Sequence, residues 1–574
     1  MTPALLETTP SSQLSIQAHF DDQLQARPIR IASQATKTLS AIDFYSGVGG
    51  WSLGFKMAGI DIIQSYEWWK KANETNALNN HHRTIEVDIR GIALGELPQN
   101  VDIVVGSPPC VEFSYSNRGG GGDIADGLKD IEKFLQVVDH VKPKYWAMEN
   151  VPRVAEILKK ELLKGGRLFR FAHLEPEIRI VDACEWGVPQ QRKRCIAGRF
   201  DFNLFFDYRR RAVSVTLGDV VESLSSSDPI DPIYGIQVLS SHLHDHVPEA
   251  PLSPEEERMN REMKAFHPIY NNMAFPDSPN RPGRTVTATC TRVSRESIVI
   301  ADPEKKGKFR RLTVRERACL QSFPFTYQFY GDSHSQKLKM VGNAVPPLLT
   351  FHIAHAMLGT RPDAMPKPSI AVGAFSLPSL LPKNTPPDSV GESYPKTRRF
   401  RAALPHLRFK SGVRFELANS FQERKPAWNV SFYFGNSKNI QQLPLNESLE
   451  RQIAERGVHL PQEFIGPIAE KVSLTSASKL QDIWNRRVAI GLHPYEIVDE
   501  IGNIAEKTIQ WLAETAIPSK AILCDLLQDR SAAPGLPKLL KVSDAVLAGC
   551  LVGCAWNKRL ADVDFNLEPE NAFI

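Results

Sequence analysis

The chain has 574 residues, which is too long for a single hydrophobic core, so we expect two or more domains. Its hydrophobic content of 42% and charged content of 23% are ordinary for a soluble globular protein. The net charge of +4 permits a nucleic-acid partner without requiring one.

The eight cysteines are scattered, with no CxxC pair and no Cys/His cluster at the spacing of a zinc site. We therefore predict a reduced, intracellular protein and no metal site. No apolar stretch approaches the roughly 20 residues of a membrane span, and the N-terminus lacks the pattern of a signal peptide. We expect no membrane association.

Residues 1–37 are rich in Ser, Thr and Gln, which is typical of a flexible tail. Short apolar strands then alternate with amphipathic segments, at 41–44, 60–66, 101–105 and 145–148. Such alternation predicts βαβ units and a parallel sheet.

A glycine-rich turn, Ser-Gly-Val-Gly-Gly at 46–50, follows the first strand and leads into a helix. Glycines at such a turn let the backbone approach a ligand and expose the amides of the helix N-terminus. A structural turn would use the same residues, and the spacing is not that of the usual dinucleotide motif.

Polar groups suited to a nucleoside follow the next two strands. Glu67 could accept hydrogen bonds from ribose hydroxyls, and the indole of Trp68 could lie against a purine. Asp88 could accept from an exocyclic amine. Each acid alone could be a solvated loop carboxylate, but three ligand-suited positions at successive strand ends favour a binding site.

The turn Pro-Pro-Cys at 108–110 ends the apolar strand 101–105. Prolines stiffen the turn and cannot continue the sheet, so the thiol of Cys110 has a fixed place at the edge where α/β sheets bind ligands. A lone cysteine is more often a small buried hydrophobe, and the neighbouring motifs decide between the two interpretations.

These residues, with others further along, resemble the cytosine-5 DNA methyltransferase family over about residues 39–358. The motifs occur in the family's order: the cofactor loop at 44–50, Pro-Pro-Cys at 108–110, Glu-Asn-Val at 149–151, Gln-x-Arg-x-Arg at 190–194, the block at 311–316 and 321–324, and Gly-Asn-Ala-Val-Pro-Pro at 342–347. Six ordered motifs are far more specific than any one of them.

The resemblance implies transfer of a methyl group from S-adenosylmethionine to carbon 5 of a cytosine flipped out of duplex DNA. Cys110 would add to carbon 6 as a thiolate, Glu149 would bond ring nitrogen 3 and the exocyclic amine, and Arg192 and Arg194 would hold the base carbonyl and a nearby phosphate. The cofactor would be bound by Phe44, Ser46, Gly47, Gly49, Gly50, Glu67, Trp68, Asp88, Ser107, Pro108 and Asn343.

One departure from the family lies beside the nucleophile. The family usually has Pro-Cys-Gln, with Phe-Ser two places on, whereas this chain has Val111 and Glu112 after Cys110. Valine cannot make the polar contacts of glutamine, and Glu112 adds a carboxylate beside phosphates. The glycine run at 119–122 is typical of a mobile loop that closes over a base, although a merely flexible surface loop would have the same sequence pattern.

The predicted fold class is α/β: a doubly wound, Rossmann-like methyltransferase sheet with a small target-recognition domain and an additional C-terminal α+β domain. The predicted boundaries are a tail at 1–37, catalytic segments at 38–200 and 301–360, a target-recognition region at 201–300, a Pro-rich linker at 361–397 and a C-terminal domain at 398–574.

The C-terminal domain has no family resemblance. Its first residues, 396–414, carry seven Lys and Arg and no Asp or Glu, which could follow phosphates or form a solvated face. Glu-Arg-Lys at 423–425 resembles half of a nuclease site but lacks an acidic partner at a suitable distance. An accessory domain with a protein or DNA partner is the default expectation.

The prediction is a DNA cytosine-5 methyltransferase acting as a monomer on double-stranded DNA, in the cytoplasm and near the nucleoid of a prokaryotic cell. A transfer-RNA methyltransferase is one alternative, but the insert lacks the expected Cys-Phe-Thr signature. A catalytically dead DNA-binding regulator is the other, and the intact Cys110, Glu149, Arg192 and cofactor loop argue against it. A restriction partner, an orphan regulator and a defence enzyme remain open as biological roles.

Overall fold

The computed structural model describes residues 38–113, 123–265, 273–289, 291–368, 375–387, 394–409, 412–436, 439–486, 491–528 and 535–567. The predicted tail at 1–37 and the glycine run at 119–122 lie outside these residues. The chain divides into two compact units, Met1–Pro387 and Asp388–Ile574.

A seven-stranded sheet organises the first unit. Its strands are β1 Ser40–Phe44, β2 Asp61–Glu67, β3 Arg83–Glu86, β4 Ile103–Gly106, β5 Tyr145–Asn150, β6 Glu177–Asp182 and β7 Lys193–Arg199. Their spatial order is β3-β2-β1-β4-β5-β7-β6. Only β7 runs against the others, pairing antiparallel with both β5 and β6. This is the doubly wound arrangement that the alternating pattern predicts.

The order of the strands reverses between β1 and β4, which pair in parallel from Ala41↔Ile103 to Phe44↔Gly106. Chains leave these two strands toward opposite faces, so a crevice opens at their carboxyl ends. The glycine-rich turn follows β1 and the Pro-Pro-Cys turn follows β4. The topology therefore brings the two most informative sequence features to one edge of the sheet.

Helices cover both faces of this sheet. The helices of the first unit are α1 Gly50–Met57, α2 Lys70–Asn80, α3 Ile124–Val141, α4 Arg153–Glu161, α5 Phe202–Asp207, α6 Leu217–Leu224, α7 Pro254–Ala265, α8 Val314–Leu320, α9 His334–Asn343 and α10 Pro347–Leu358.

Alternate residues of each strand enter two separate hydrophobic cores. In β4, Ile103 and Val105 pack in the core that contains α1 and α10, whereas Val104 packs in the core that contains α3 and α4. A strand buried on both faces must be apolar at every position, which explains the unbroken run in the sequence.

The predicted strands agree with the observed ones to within two residues at most ends. The difference that matters concerns Glu149, which the sequence places just after a strand that ends at Met148. Strand β5 continues to Asn150, so Glu149 lies inside the sheet and pairs with Ile196 of β7. Its side chain therefore has a fixed direction.

Much of the predicted target-recognition region at 201–300 shares the core of the catalytic sheet. Phe205, Leu217 and Tyr234 belong to the same buried cluster as α1 and α10. A short hairpin, β8 Val299–Ala301 with β9 Phe309–Arg311, leads into α8. The domain boundary at 201 stays a prediction.

The Pro-rich stretch predicted as a linker at 361–397 contributes to the first unit. Phe375 is buried and its ring lies 4.9 Å from that of Tyr234. The carbonyl of Lys383 accepts a hydrogen bond from Lys337 Nζ at 2.9 Å. The division between the units falls after Pro387, within the Pro-rich stretch.

The second unit is an antiparallel sheet packed on helices, in agreement with the predicted α+β class. Its strands, in spatial order, are β10 Arg401–Arg408, β11 Arg414–Gln422, β12 Lys425–Asn436 and β13 Asn439–Leu443. Its helices are α11 Glu447–Ala454, α12 Gln462–Ser473, α13 Ala477–Trp484, α14 Pro494–Glu514, α15 Ser519–Leu526, α16 Leu536–Leu539 and α17 Ser543–Leu567.

The Glu-Arg-Lys sequence that resembles half of a nuclease site has a structural explanation. Glu423 and Arg424 form the two-residue turn between β11 and β12, where Gln422 pairs with Lys425. Both turn residues have positive φ, 48° and 70°, as a tight hairpin turn requires. In the described part of the chain no group of three or more His, Cys, Asp or Glu could hold a metal ion.

One stretch, Leu536–Asp564, is long and apolar enough to cross a membrane by length and composition, although the sequence analysis found none. Of the residues in its most apolar 18-residue window, 72% are buried inside the protein. Its helix α17 packs against Phe415 and Val430 of the sheet, at Gly549 and Gly553. It is therefore the central helix of the second unit's core.

Candidate active site

The glycine-rich turn is held by the carboxylate of Glu67. Gly47 N donates to Glu67 Oε2 at 2.9 Å, and Trp69 N donates to Oε1 at 2.8 Å. Burial raises the pKa of Glu67, and these backbone donors oppose that shift. The buried hydroxyl of Ser46 has no hydrogen-bond partner within the protein, so it can bond a ligand in this turn.

Two glycines in the turn are required by close approaches. Gly49 has φ +87°, and a Cβ there would collide with the side chains of Asn76 and Asn80 of α2. A Cβ on Gly50 would collide with the carbonyl of Val345, in the last of the six motifs. The turn is thus packed between α2 and the segment that leads into α10.

A cavity of about 380 Å³ opens beside this turn. Its lining includes Tyr45, Trp68, Asp88, Pro109 and Val111, which come from the ends of four neighbouring strands or from the loops after them. Trp68 is 64% exposed, an unusual state for tryptophan, and lines the cavity. The structure therefore brings the predicted cofactor residues Trp68 and Asp88 together.

The predicted cofactor residue Phe44 has a different environment. Its ring is fully buried and stacks on Tyr66 at 4.4 Å and 7°. Phe44 can therefore contact a ligand only through its backbone, at the end of β1. The carbonyl of Phe44 accepts a hydrogen bond from Ser107 N at 3.1 Å, which ties the two turns together.

An ion-pair network that the sequence analysis missed joins the cavity to α3. Arg90, two residues after Asp88, donates to Asp130 at 2.7 and 2.9 Å and to Asp126 at 3.0 and 3.1 Å. The hydroxyl of Tyr45 also donates to Asp130, at 3.3 Å. The acids are four residues apart on one face of a helix, a spacing that could have indicated a shared partner.

The Pro-Pro-Cys turn is fixed by side chains on both sides. Ser107 Oγ accepts from Trp51 Nε1 at 2.9 Å, and the carbonyl of Pro108 accepts from Asn150 Nδ2 at 3.0 Å. Asn150 is buried and its own oxygen accepts from Val151 N at 2.8 Å. The asparagine of the Glu-Asn-Val motif therefore positions the turn that carries Cys110, a role that the sequence analysis did not assign.

Cys110 is half-buried and lies close to a buried ion pair. Arg194 Nε is 2.7 Å from Glu149 Oε1. Burial raises the pKa of the Cys110 thiol, and so does the charge of Glu149, while Arg194 and Arg192 lower it. The thiol is thus mostly protonated at neutral pH, with a carboxylate and a guanidinium as neighbours.

Arg192 has a different environment from the one expected for it. The side chain is 2% exposed, and its terminal nitrogens donate to the carbonyls of Val286, Gly342 and Ala344 at 3.0–3.1 Å. Burial, together with the charge of Arg194, lowers the pKa of this guanidinium to about 9. Its terminal nitrogens are thus bonded to backbone carbonyls, and its predicted role toward the base carbonyl and a phosphate stays a prediction.

The same scaffold is completed by two buried glutamines. Gln190 donates to Gln321 Oε1 at 2.9 Å and accepts from Val286 N at 2.6 Å. Gln321 donates to the carbonyl of Val341 at 2.8 Å. Three sequence motifs are thereby linked through buried amides.

The predicted cofactor residue Asn343 lies at the end of α9 with its side chain exposed.

The atypical Glu112 caps a helix. Its Oε2 accepts from the backbone N–H of Asp123 at 2.6 Å, and Asp123 is itself the N-cap of α3. Val111 beside it is 62% exposed and lines the cavity. The carboxylate that distinguishes this chain from its family is therefore engaged within the protein.

The model of the C-5 cytosine-specific DNA methylase family matches residues 39–359. The chain belongs to this family. Among its relatives, type II methyltransferase M.AplI of Arthrospira platensis is 28% identical over 364 residues, covering 62% of this chain and 95% of the relative. M.FnuDI of Fusobacterium nucleatum is 28% identical over 57% of this chain and 96% of its own. M.NgoPII of Neisseria gonorrhoeae is 29% identical over 56% and 96%.

The protein is a cytosine-5 DNA methyltransferase, as the six ordered motifs imply, and DNA is the substrate of that reaction. The predicted family, the predicted fold class and the methylation of DNA cytosine at carbon 5 are confirmed. The match ends at residue 359, so the second unit lies outside the region shared with the family.

Proposed function

We propose that the methyltransferase acts through a covalent adduct of Cys110 with carbon 6 of a flipped cytosine, with S-adenosylmethionine as the methyl donor. The observation that carries this proposal is the thiol of Cys110 beside the Glu149–Arg194 pair, at the same sheet edge as the glycine turn and its cavity.

Cys110 supplies the nucleophile. Carbon 5 of cytosine is a poor nucleophile until carbon 6 carries a thiolate, which converts the ring to an enamine. The raised pKa of Cys110 means that the thiol must pass its proton to water as it attacks. After methyl transfer, loss of the carbon 5 proton to water expels the thiolate and restores the ring. Arg194 and Arg192 favour the thiolate, and the Asn150–Pro108 bond keeps the sulfur in place.

Glu149 and Arg194 act on the base. The Glu149 carboxyl can share a proton with ring nitrogen 3 while negative charge develops there, and it can accept from the exocyclic amine. Arg194 fixes its direction and can donate to the base carbonyl. Arg192 supports this pair from the buried scaffold.

The cavity residues fit S-adenosylmethionine. Trp68 and Asp88, which line the cavity, would stack on the adenine and accept from its amine. Glu67, which holds the glycine turn beside the cavity, would accept from ribose hydroxyls. The free hydroxyl of Ser46, the backbone of the turn through Gly47, Gly49 and Gly50, and Ser107 and Pro108 would hold the remaining part of the molecule. When bound, S-adenosylmethionine supplies the methyl group.

The names of the relatives point to a biological setting. M.AplI, M.FnuDI and M.NgoPII are type II methyltransferases. We extend this to a role in restriction-modification, in the cytoplasm, with a monomer acting on duplex DNA. An orphan methyltransferase with the same chemistry is the second candidate.

Incubation of the purified protein with labelled S-adenosylmethionine and either duplex DNA or transfer RNA tests the proposal. Label should enter DNA alone, and duplex DNA containing 5-fluorocytosine should form a denaturation-resistant complex with the protein. Labelled RNA, or labelled DNA without a trapped complex, would contradict the substrate and the covalent step respectively.

Replacing Arg90 by Gln is expected to raise the KM for S-adenosylmethionine by about 10-fold and to lower kcat less. The change removes the bonds to Asp126 and Asp130, which hold the Asp88 segment against α3. The bond to the largely buried Asp130 contributes about 1 kcal/mol, which corresponds to several-fold in binding. Steady-state kinetics, with the concentration of S-adenosylmethionine varied at saturating DNA, measures the changes in KM and kcat separately.

Arg170→Gln is the matched control, because Arg170 pairs with Glu132 of α3 outside the lining of the cavity. An unchanged KM in the Arg90 variant would show that the network does not position the cofactor.

A further inference from the structure

The second unit carries a cationic sheet face opposite its core. Inward residues of the four strands, such as Leu404, Phe415 and Phe432, are buried against the helices. Because side chains alternate along a strand, the residues between them share the other face. We call this the outer face of the sheet.

The pairing register identifies the members of the outer face. Arg401 pairs with Ala418, which pairs with Asn429, and Arg414 pairs with Tyr433, which pairs with Gln442. Continuing the alternation along the paired residues, the outer-face positions are Arg401, Ala403, Arg408, Arg414, Glu416, Ala418, Ser420, Gln422, Lys425, Ala427, Asn429, Ser431, Tyr433, Ile440 and Gln442.

The outer face has an excess of positive charge. It holds four cations, Arg401, Arg408, Arg414 and Lys425, and one carboxylate, which gives a formal charge of +3. That carboxylate, Glu416, is buried beneath the arginines and pairs with Arg401 Nε and with Arg414 Nε. It orders the two guanidiniums and exposes little negative charge of its own.

The remaining side chains make the face flat and able to hydrogen-bond. Most are Ala, Ser, Asn or Gln, and the larger Tyr433 lies under the arginines, with ring-to-guanidinium distances of 5.4 Å to Arg401 and 4.9 Å to Arg414. Stacked arginines lose less freedom on binding because they are already ordered. Small neutral residues between fixed cations allow a polyanion to approach the strands.

We propose that the outer face of this sheet binds the phosphate backbone of duplex DNA, as a second DNA contact separate from the catalytic unit. Charge complementarity carries the proposal: a +3 face with a single, shielded carboxylate matches a regular array of phosphates. Amides and hydroxyls of Asn429, Ser431 and Gln442 add hydrogen bonds to phosphate oxygens. Such a contact is independent of sequence and holds the enzyme on DNA between target sites.

The test measures the affinity of the full chain for a fluorescent 30-base-pair duplex by anisotropy across a salt series. The variant combines Arg401→Gln, Arg408→Gln and Lys425→Gln, which leaves the Glu416–Arg414 pair in place. Each lost phosphate contact reduces the slope of log K against log salt by about 0.9, so a reduction of about two to three is expected. The KM for DNA should rise while kcat stays unchanged.

A control with the same loss of charge combines Arg451→Gln, Lys479→Gln and Arg559→Gln, all exposed on helices of the second unit. Its slope should change by less than one. Equal changes in the two triple variants would show a general charge effect and overturn the assignment to this face, as would an unchanged slope in the sheet variant. Unchanged thermal unfolding and kcat in both variants confirm that the fold and the catalytic site are intact.

Discussion

Replacing Cys110 by serine is expected to abolish methyl transfer to DNA, with kcat reduced by at least about 10⁴-fold. A serine hydroxyl is nearly the size of the thiol but is a far weaker nucleophile toward carbon 6. The bonds that fix the turn, from Asn150 to Pro108 and from Trp51 to Ser107, do not involve the thiol. The variant should therefore fold and bind DNA normally, so the loss will be in the chemical step.

Single-turnover methylation with labelled cofactor measures this effect, and trapping on DNA containing 5-fluorocytosine gives a second readout. Cys184→Ser is the control, because Cys184 is also a half-buried thiol of the same unit but lies in the turn between β6 and β7. Methylation by the Cys110 variant at the rate of the control would rule out the covalent mechanism.

The position of Cys110 could be predicted because the information is local. An unbroken apolar run of strand length must be buried on both faces, and a turn with two prolines must end it. The glycine turn after β1 carries equally local information. Parallel strands place both turns at one edge of the sheet, so the fold class alone predicts that the thiol and the glycine turn lie close together.

The environment of Arg192 could not be predicted, because its partners are backbone groups. It bonds the carbonyls of Val286, Gly342 and Ala344, which lie 94 to 152 residues further along the chain. Every residue has such a carbonyl, so no sequence pattern marks these three. Only the folded chain distinguishes a buried arginine of the scaffold from Arg194, which faces Glu149.

The Glu-Arg-Lys sequence at 423–425 presents a different difficulty, because the same sequence pattern is compatible with two structures. A nuclease site and a hairpin tip both place charged residues together. The pairing of Gln422 with Lys425 decides between them, and that pairing depends on the hydrophobic alternation of two whole strands.

Replacing Glu149 by Gln is expected to change two properties in opposite directions. Methylation should slow by about 10²- to 10⁴-fold, because glutamine cannot share a proton with ring nitrogen 3 as negative charge develops. Alkylation of Cys110 should become faster at neutral pH. The Glu149 charge raises the pKa of the thiol, second only to burial, whereas Arg194 lowers it. Removing the carboxylate leaves the arginine effect unopposed, so the pKa falls and the thiolate fraction at pH 7 rises.

The pH dependence of iodoacetamide labelling, read at the Cys110 peptide by mass spectrometry, measures the second property. The midpoint should move to lower pH in the Glu149 variant, while the rate of methylation falls. A variant that had merely lost its local structure would show no such ordered titration. Glu156→Gln provides the control, since Glu156 is an exposed carboxylate of α4 that pairs with Lys159. Its midpoint should equal that of the unmodified enzyme. A Glu149 variant whose midpoint stays in place or rises would show that this carboxylate does not act on the nucleophile, and the proton-sharing role at the base would then stand without its electrostatic support.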